Sequence, residues 1–229
     1  RLARLRSVSM AAHIGVNIGK GHETPIERAP DDYDWLLQQL HPYADYLTIN
    51  ISSPNTLSLR DLQAKEALRH LLDKLVRSAN LVCPNTPILV KIAPDLSLAE
   101  IDEVLEVITN YGVSGIVATN TTTSRVGLSE EAITETGGVS GPPLRDLSTN
   151  IIRHIYRQMG STLPIIGVGG VDSASTALDK IRAGAVLVQV YTGLVYQGPS
   201  MIKSINSGIV QVLDSLGIEN LMELVGSQA

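Results

Sequence analysis

Six short apolar runs recur along the chain, and each is followed by a stretch in which apolar residues return every three or four positions. The runs are rich in Val, Ile and Leu and nearly continuous, which is typical of strands buried on both faces of a parallel sheet. They cover residues 13–20, 46–52, 87–93, 115–121, 164–170 and 187–193. Strict alternation of strand and helix predicts an α/β fold with a parallel sheet.

The stretches between and after the strands have the periodicity of helices that bury one face. The predicted helices cover residues 31–40, 62–79, 98–108, 151–159, 174–183, 201–216 and 218–225. Ser97 and Glu100 have the spacing of a capping box at the start of the third helix. Gly160 is placed to end the fourth helix as a C-cap.

Polar residues or glycines stand at the carboxyl end of every predicted strand. Barrel enzymes collect their site from the ends of many strands, whereas an open doubly wound sheet concentrates it at one switch point. We therefore predict a (β/α)8 barrel that forms a single domain over residues 1–229, with about six of the eight βα units present. Residues 1–10 are expected to be the remnant of a preceding helix, and the first two strands to be missing.

Composition excludes several other classes of function. The 229 residues include 18 basic and 23 acidic side chains, and aromatic residues make up only 3%. Nucleic-acid binding is not expected, because it needs a basic surface or aromatic stacking platforms. The single Cys83 and five scattered histidines predict neither a disulfide nor a metal site. No apolar run approaches the roughly 18 residues of a membrane span.

The segment Asn50-Ile-Ser-Ser-Pro-Asn-Thr56 at the end of the second strand is the first candidate for chemistry. It offers three hydroxyls and two amides within seven residues, and Pro54 restricts the backbone of Ser53 to extended geometry. Paired amides suit a flat substrate that is rich in heteroatoms, because they both donate and accept. The alternative is a polar turn that caps the next helix.

Two further features indicate an anionic ligand. Ile165-Ile-Gly-Val-Gly-Gly170 and the following strand end resemble the phosphate-binding loops of barrels, and tight packing of the barrel is the alternative. Lys91 interrupts an apolar strand, where a lysine needs a partner. An anionic cofactor atom would serve, and the alternatives are an ion pair with Asp95 or an ammonium group that reaches solvent. Neither a dinucleotide fingerprint nor a Walker loop is matched.

Together these motifs resemble the class 2, quinone-dependent dihydroorotate dehydrogenases. The matching segments are, in the family's order, GVNIGK, NISSPNT, LVKIAPDLS, IVATNTT, ETGGVSGPPLRDLS, LPIIGVGGV, KIRAGA and LVQVYTGL, from about Gly15 to about Pro199. The resemblance implies a barrel with FMN above its C-terminal face. It also implies oxidation of dihydroorotate to orotate in pyrimidine synthesis, with electrons passed to a membrane quinone.

The resemblance also implies roles for individual residues. Ser53 matches the catalytic base that removes the C5 proton of dihydroorotate, and class 1 relatives carry cysteine there. Substrate contacts are implied at Asn50, Asn55, Asn120 and Thr121. FMN contacts are implied at Asn17, Asn50, Lys91, Thr119, Ser140, Gly141, Gly169, Gly170, Tyr191 and Thr192. Tyr191 is also expected to lie toward the quinone tunnel.

The family's location and the competing functions complete these expectations. The protein is expected at the mitochondrial inner membrane, or alternatively on the cytoplasmic side of a bacterial membrane, held by a missing N-terminal segment. Another dihydropyrimidine-oxidising flavin barrel is an alternative, but Ser53 and the lack of iron–sulfur cysteines argue against it. A barrel fragment that binds a ligand or partner without turnover is the alternative from a different class.

Overall fold

The chain forms one curled sheet of six parallel strands with helices between them. A computed structural model describes Leu2, residues 13–126 and residues 128–229. The strands are β1 (Gly15–Ile18), β2 (Tyr46–Asn50), β3 (Ile88–Ile92), β4 (Gly115–Ala118), β5 (Ile165–Val168) and β6 (Leu187–Gln189). Their order in the sheet is their order in the chain, and every neighbouring pair is parallel. The predicted α/β class and parallel alternation are confirmed.

Helices follow the strands, and the longer ones pack against the outer face of the sheet. The helices are α1 (Ala29–Leu40), α2 (Lys65–Val82), α3 (Leu98–Asn110), α4 (Glu130–Ile133), α5 (Arg145–Met159), α6 (Ala174–Arg182), α7 (Thr192–Gln197) and α8 (Ser200–Leu216). Short 3₁₀ turns cover Ile26–Arg28, His41–Tyr43, Leu59–Gln63, Pro142–Leu144, Gly160–Thr162 and Leu221–Leu224. The helix expected over residues 1–10 lies outside the described residues, Leu2 apart.

Alternate residues of each strand separate two apolar layers. Ile49 and Val90 pack with the helices in the main core, which holds most of the buried apolar side chains. On the opposite, concave face, Leu89, Val117 and Ile166 form a small separate cluster. Asn50, Lys91 and Val117 are in register with one another, so two polar side chains and one apolar side chain lie in one row. The concave face therefore has an apolar floor and a polar carboxyl end.

Local signals account for several helix boundaries. The capping box predicted at Ser97 and Glu100 is present, with the Glu100 amide donating to Ser97 Oγ at 3.3 Å. A second capping box joins Ser173 and Thr176 at the start of α6. Gly160 follows the last residue of α5, at the position predicted for its C-cap. The helix predicted from residue 151 begins at Arg145 instead, because Ser148 and Thr149 are buried helical positions despite being polar.

The helix predicted over residues 218–225 is wrong. Gly217 ends α8 with a φ of 66°, and the only regular turn that follows is the 3₁₀ segment Leu221–Leu224. The reason lies in tertiary hydrogen bonds. The Gly226 amide donates to Ile181 O at 3.1 Å, and the Gln228 amide donates to Arg182 O at 2.9 Å. The end of the chain therefore bonds in part to the end of α6, and its own bonds are short turns rather than those of an α-helix.

The sixth strand is shorter than predicted. β6 ends at Gln189 and α7 begins at Thr192, so Tyr191 and Thr192 lie at a strand-to-helix turn rather than within a strand. The Val195 amide donates to Tyr191 O at 3.1 Å and closes the first turn of α7. Both side chains nevertheless stay at the carboxyl edge of the sheet.

Candidate active site at the carboxyl ends of the strands

A cavity of about 410 Å³ opens where strands β3 to β6 end. Pockets that bind small ligands are typically about 300–1,000 Å³, so this one suits a ligand of cofactor size. Ten of the residues predicted from the sequence line it: Lys91, Thr119, Asn120, Thr121, Ser140, Gly141, Gly169, Gly170, Tyr191 and Thr192. The ends of four different strands therefore meet at one site.

Three glycines give the cavity a wall made of backbone. Gly141, Gly169 and Gly170 have φ angles of 77°, 128° and 71°, which favour glycine. A Cβ atom on Gly170 would lie 2.7 Å from Arg145 Cβ and 3.0 Å from Gly141 O. The two loops can approach this closely only because Gly170 lacks a side chain. Backbone N–H groups that a ligand can approach in such a wall are suited to an anionic group.

Two hydroxyl groups beside this wall are hydrogen-bonded to each other. Thr192 Oγ1 donates to Ser140 Oγ at 2.8 Å, which links the start of α7 to the loop before α5. Both hydroxyls border the cavity. They offer polar contacts next to the glycine wall without bringing in a charge.

Lys91 is a charged group on the cavity without a protein partner. None of the hydrogen bonds and ion pairs between described residues involves its ammonium group, and the expected alternative partner, Asp95, is paired with Arg60 at 2.6 Å. Burial lowers the pKa of Lys91. A partly buried ammonium group without a countercharge is suited to an electron-rich ligand atom.

Beside the cavity, Asn50, Ser52 and Asn120 form a cluster, called here the amide cluster. Asn50 Oδ1 accepts from Ser52 Oγ at 2.9 Å and from Asn120 Nδ2 at 3.2 Å. Asn120 Nδ2 also donates to Ser52 Oγ at 3.0 Å, and Asn120 Oδ1 accepts from the Thr121 amide at 2.8 Å. These bonds fix the orientation of both amides across 70 residues of sequence. The ends of β2 and β4 therefore act as one rigid polar surface.

Ser53 follows this cluster on a turn. Its Oγ accepts a hydrogen bond from the Asn55 amide at 3.2 Å, and the side chain is neither fully buried nor fully exposed. A hydrogen bond donated to a hydroxyl oxygen favours negative charge on that oxygen. Ser53 Oγ therefore has one fixed hydrogen bond, and the residue does not itself line the cavity.

Arg60 holds the loops after β2 and β4 together. Its Nε donates to Ser52 O at 3.1 Å, and its Nη2 donates to Thr121 O at 2.8 Å. Its Nη1 pairs with Asp95, which also accepts from the Thr122 hydroxyl and, at 3.1 Å, from the Thr123 amide. We call Arg60 and Asp95 the arginine clamp. Its planar guanidinium group fixes the distance between the Ser53 turn and Thr121.

The long segment between β4 and α5 covers the Ser53 turn. Thr122 and Val139 exchange backbone hydrogen bonds of 3.1 and 2.8 Å and close this segment into a loop. A Cβ atom on Gly138 would lie 2.9 Å from Pro54 Cγ, and one on Gly137 would lie 3.3 Å from Asn55 Oδ1. The two glycines therefore let the loop lie directly on the turn and reduce its access to water.

Four predicted site residues do not line the cavity. Asn50 borders it through Asn120, and Ser53 and Asn55 lie on the neighbouring turn under the long loop. Asn17 lies on β1, exposed and in register with Thr48, so two strands separate its position from β4. Its assignment as a flavin contact stays a prediction.

Sequence reasoning missed the arginine clamp and several lining residues, among them Leu144, Asp172, Gln189 and Tyr196. Arg60 follows the NISSPNT segment by four positions, which was its only local signal. Two of its three partners lie 35 and 61 residues away, beyond the reach of any short-range pattern.

Parallel strands in consecutive order, with a polar cavity at their carboxyl ends, define a protein of the (β/α)-barrel enzyme class. A family model described as dihydroorotate dehydrogenase matches residues 2–213. The chain belongs to the dihydroorotate dehydrogenase family, which confirms the resemblance carried by the motifs.

Similar proteins agree with this assignment and with the predicted barrel fold. The dihydroorotate dehydrogenase (quinone) of Anaeromyxobacter dehalogenans (strain 2CP-C) is 47% identical over 228 residues, which cover 99% of this chain and 63% of that protein. The same enzyme from Thermosynechococcus vestitus is 47% identical over 217 residues, covering 91% of this chain and 59% of that protein. The chain thus spans about 63% of the length of the first of these relatives.

Two solved structures of DHODH from Eimeria tenella have the same fold. The complex with ferulenol has a TM-score of 0.88 at 33% identity and covers 96% of this chain and 63% of that chain. The ligand-free form has a TM-score of 0.89 at 32% identity and covers 99% of this chain and 68% of that chain. The fold prediction of a barrel with six βα units in this chain is confirmed.

The relatives test one part of the expected location, the choice between a mitochondrial and a bacterial membrane. The curated relatives named above are bacterial, so they do not support the mitochondrial inner membrane. Within the described ranges, no helix combines the length and apolar character that crossing a lipid bilayer requires.

Proposed function

We propose that this chain is the FMN-binding barrel of a quinone-dependent dihydroorotate dehydrogenase, which oxidises dihydroorotate to orotate. The observation that carries the proposal is the meeting of the amide cluster with a glycine-walled cavity at one edge of the sheet. One surface is suited to a planar pyrimidine and the other to a phosphate-bearing cofactor. The curated relatives, of which this chain spans about 63%, carry the same activity in their names.

The cavity fits the chemistry of FMN. The backbone wall of Gly141, Gly169 and Gly170 is suited to the phosphate, because glycines let a ligand approach backbone N–H groups closely. Ser140 and Thr192 offer hydroxyls beside it. Lys91 supplies a positive charge where the ring of the flavin would gain electrons. We place Asn17, Asn50, Thr119 and Tyr191 as further contacts to the flavin.

The substrate would lie against the amide cluster and the Ser53 turn. A dihydropyrimidine ring presents both N–H and C=O groups, which the amides of Asn50, Asn55 and Asn120 can pair with simultaneously. Thr121 adds a hydroxyl beside Asn120. Because the amides of Asn50 and Asn120 are held by their own hydrogen bonds, they need little ordering when the substrate binds.

Ser53 is proposed as the base that takes the proton from C5 of dihydroorotate. The hydrogen bond from the Asn55 amide stabilises charge on Ser53 Oγ as that proton is transferred. A bound FMN would supply the acceptor for the hydride from C6 and the route for two electrons to the quinone. Loss of one proton and one hydride balances the conversion of dihydroorotate to orotate.

The quinone as electron acceptor places the proposed enzyme at a membrane. The bacterial relatives favour the cytoplasmic side of the bacterial membrane over the mitochondrial inner membrane. Membrane contact through a segment N-terminal to the barrel is part of this proposal, and so is an approach of the quinone near Tyr191, which is 76% exposed.

Turnover with different electron acceptors tests this proposal. The protein at its full natural length, purified with its flavin, is expected to form orotate from dihydroorotate when a ubiquinone or menaquinone analogue is supplied. Fumarate or NAD⁺ as the acceptor is expected to give no turnover. Orotate formation only with fumarate or NAD⁺, or bound flavin without any turnover, would contradict the proposal.

Arg60→Met is expected to slow substrate-driven flavin reduction by about 100-fold, because small misplacement of reacting groups has effects of that size. The substitution removes the clamp between Ser52 O and Thr121 O and leaves Asp95 without its cation. Arg60→Lys should restore only part of the rate, since lysine cannot hold three acceptors in one plane. The rate is measured by anaerobic rapid mixing.

Arg77→Met is the matched control for Arg60→Met. Arg77 pairs with Asp73 on the exposed face of α2, and such pairs contribute little to stability. Arg77→Met should therefore reduce its flavin at the native rate. If Arg60→Met also did so, the clamp would not position the reacting groups.

A further inference from the structure

Lys180 is a fully buried lysine whose side-chain nitrogen is bonded only to neutral oxygens. It lies on α6, on the inward face shared with Ala177 and Ile181, and is 0% exposed. Its Nζ donates to Arg145 O at 2.8 Å, to Thr149 Oγ1 at 2.7 Å and to Ser148 Oγ. None of the ion pairs between described residues includes it.

These contacts place Lys180 directly behind the glycine wall. Ser148 Oγ lies between the two, because it also donates to Gly169 O at 3.3 Å. A Cβ atom on Gly167, in β5, would lie 3.2 Å from Lys180 Cβ. Lys180 therefore packs against the end of the strand that carries Gly169 and Gly170, without reaching the cavity itself.

The surrounding charges do not neutralise it. Asp146 on α5 and Asp179 on α6 favour its charged form, whereas Arg145 opposes it. Asp172, after β5, is bound to Arg145 at 2.7 Å. Burial outweighs the favourable contributions and lowers the pKa of Lys180 to about 7. A buried charge of this kind is costly unless an anion compensates it.

We propose that Lys180 is an electrostatic positioning residue for a phosphate dianion bound at Gly169 and Gly170. The lysine acts through one hydroxyl and the backbone rather than by contact with the ligand. Its charge adds to the N–H dipoles of the wall in a region of low dielectric. The inference rests on the proposed function, because the phosphate is that of FMN.

Comparing the affinities of the protein for FMN and for riboflavin isolates the contribution of the phosphate group to binding. The two ligands differ only by that group, so the ratio of their Kd values reports its contribution. For the apoprotein at full natural length, Lys180→Met is expected to weaken FMN binding by roughly tenfold or more and to leave riboflavin binding unchanged. Lys180→Gln, which keeps a hydrogen-bond donor without the charge, should do the same. Fluorescence quenching of the flavin gives both constants.

Lys20→Met is the matched control. Lys20 is also buried, at 8% exposure, and its Nζ donates to the carbonyls of Gly21 and Thr24 after β1. Its removal should leave the ratio of the two Kd values unchanged. Equal weakening of FMN and riboflavin by both Lys180 variants would overturn the proposal, as would no weakening at all. A wild-type protein that binds neither flavin would contradict the proposed function instead.

A measurement on the wild type covers the case in which neither variant folds. Near pH 8 the free FMN phosphate is already a dianion, and the lowered pKa of about 7 leaves Lys180 largely uncharged before FMN binds. Calorimetry in buffers of different ionisation enthalpy is expected to show proton uptake with FMN and none with riboflavin. Equal proton exchange for the two ligands would overturn the role of Lys180.

Discussion

Replacing Ser53 with alanine is expected to slow reduction of the bound flavin by dihydroorotate about 10²–10⁴-fold, the usual contribution of a general base. The expectation follows from the position of Ser53 beside the amide cluster and from the hydrogen bond that its Oγ accepts from the Asn55 amide at 3.2 Å. Orotate affinity should change little, because the amides that would hold the ring remain in place. Anaerobic rapid mixing isolates this step from reoxidation by quinone.

Ser161→Ala and Ser53→Cys complete this experiment. Ser161 is an exposed serine in the 3₁₀ turn before β5, at the other end of the sheet, and its loss should leave the rate unchanged. Ser53→Cys should retain some activity, since class 1 relatives carry cysteine as the base. Reduction of Ser53→Ala at the native rate would refute the assignment of the base and make Thr56 the next candidate.

Lys91→Met is expected to slow flavin reduction about 10²–10³-fold or to lower flavin occupancy, as the loss of a single charge-stabilising donor does in other active sites. Lys91 borders the cavity, and Val117, beside it in the sheet, is apolar. The charge is therefore available to a ligand. Because burial lowers the pKa of Lys91, this stabilisation is present at lower pH and is lost as the pH rises through that lowered pKa.

Lys65→Met is the control for the lysine experiment. The Lys65 ammonium group pairs with Glu106 at 2.7 Å on the outer surface of the helices, away from the cavity. Flavin content is read from the visible absorbance, and the reduction rate from its bleaching. Native flavin content together with a native rate in Lys91→Met would assign Lys91 a purely structural role.

The fold was predictable because its signals are local. Continuous apolar runs such as Ile88–Ile92 predict buried parallel strands, and the capping box at Ser97 and Glu100 marks a helix start within four residues. Polar groups such as Lys91 and Thr119, at the strand ends, indicated where the site would form, because parallel strands bring their carboxyl ends to one edge. These features depend on residues close together in the sequence.

The rest of the site depends on partners distant in the sequence. Lys180 bonds to Arg145 O across 35 residues and to Thr149 across 31 residues, and no neighbouring sequence motif predicts those contacts. The only local hint was a lysine on the apolar face of a helix, between Ala177 and Ile181. The helix predicted over residues 218–225 was wrong for the same reason, because Gly226 and Gln228 bond to the end of α6.

A crystal structure of the protein at full natural length with FMN and orotate tests the central claim most directly. The flavin phosphate is expected against Gly169 and Gly170, and the orotate ring against Asn120 with Ser53 Oγ facing its C5 atom. Lys91 Nζ should lie within hydrogen-bonding distance of the flavin ring. A flavin phosphate bound elsewhere, or an orotate ring away from Ser53 and the amide cluster, would contradict the account.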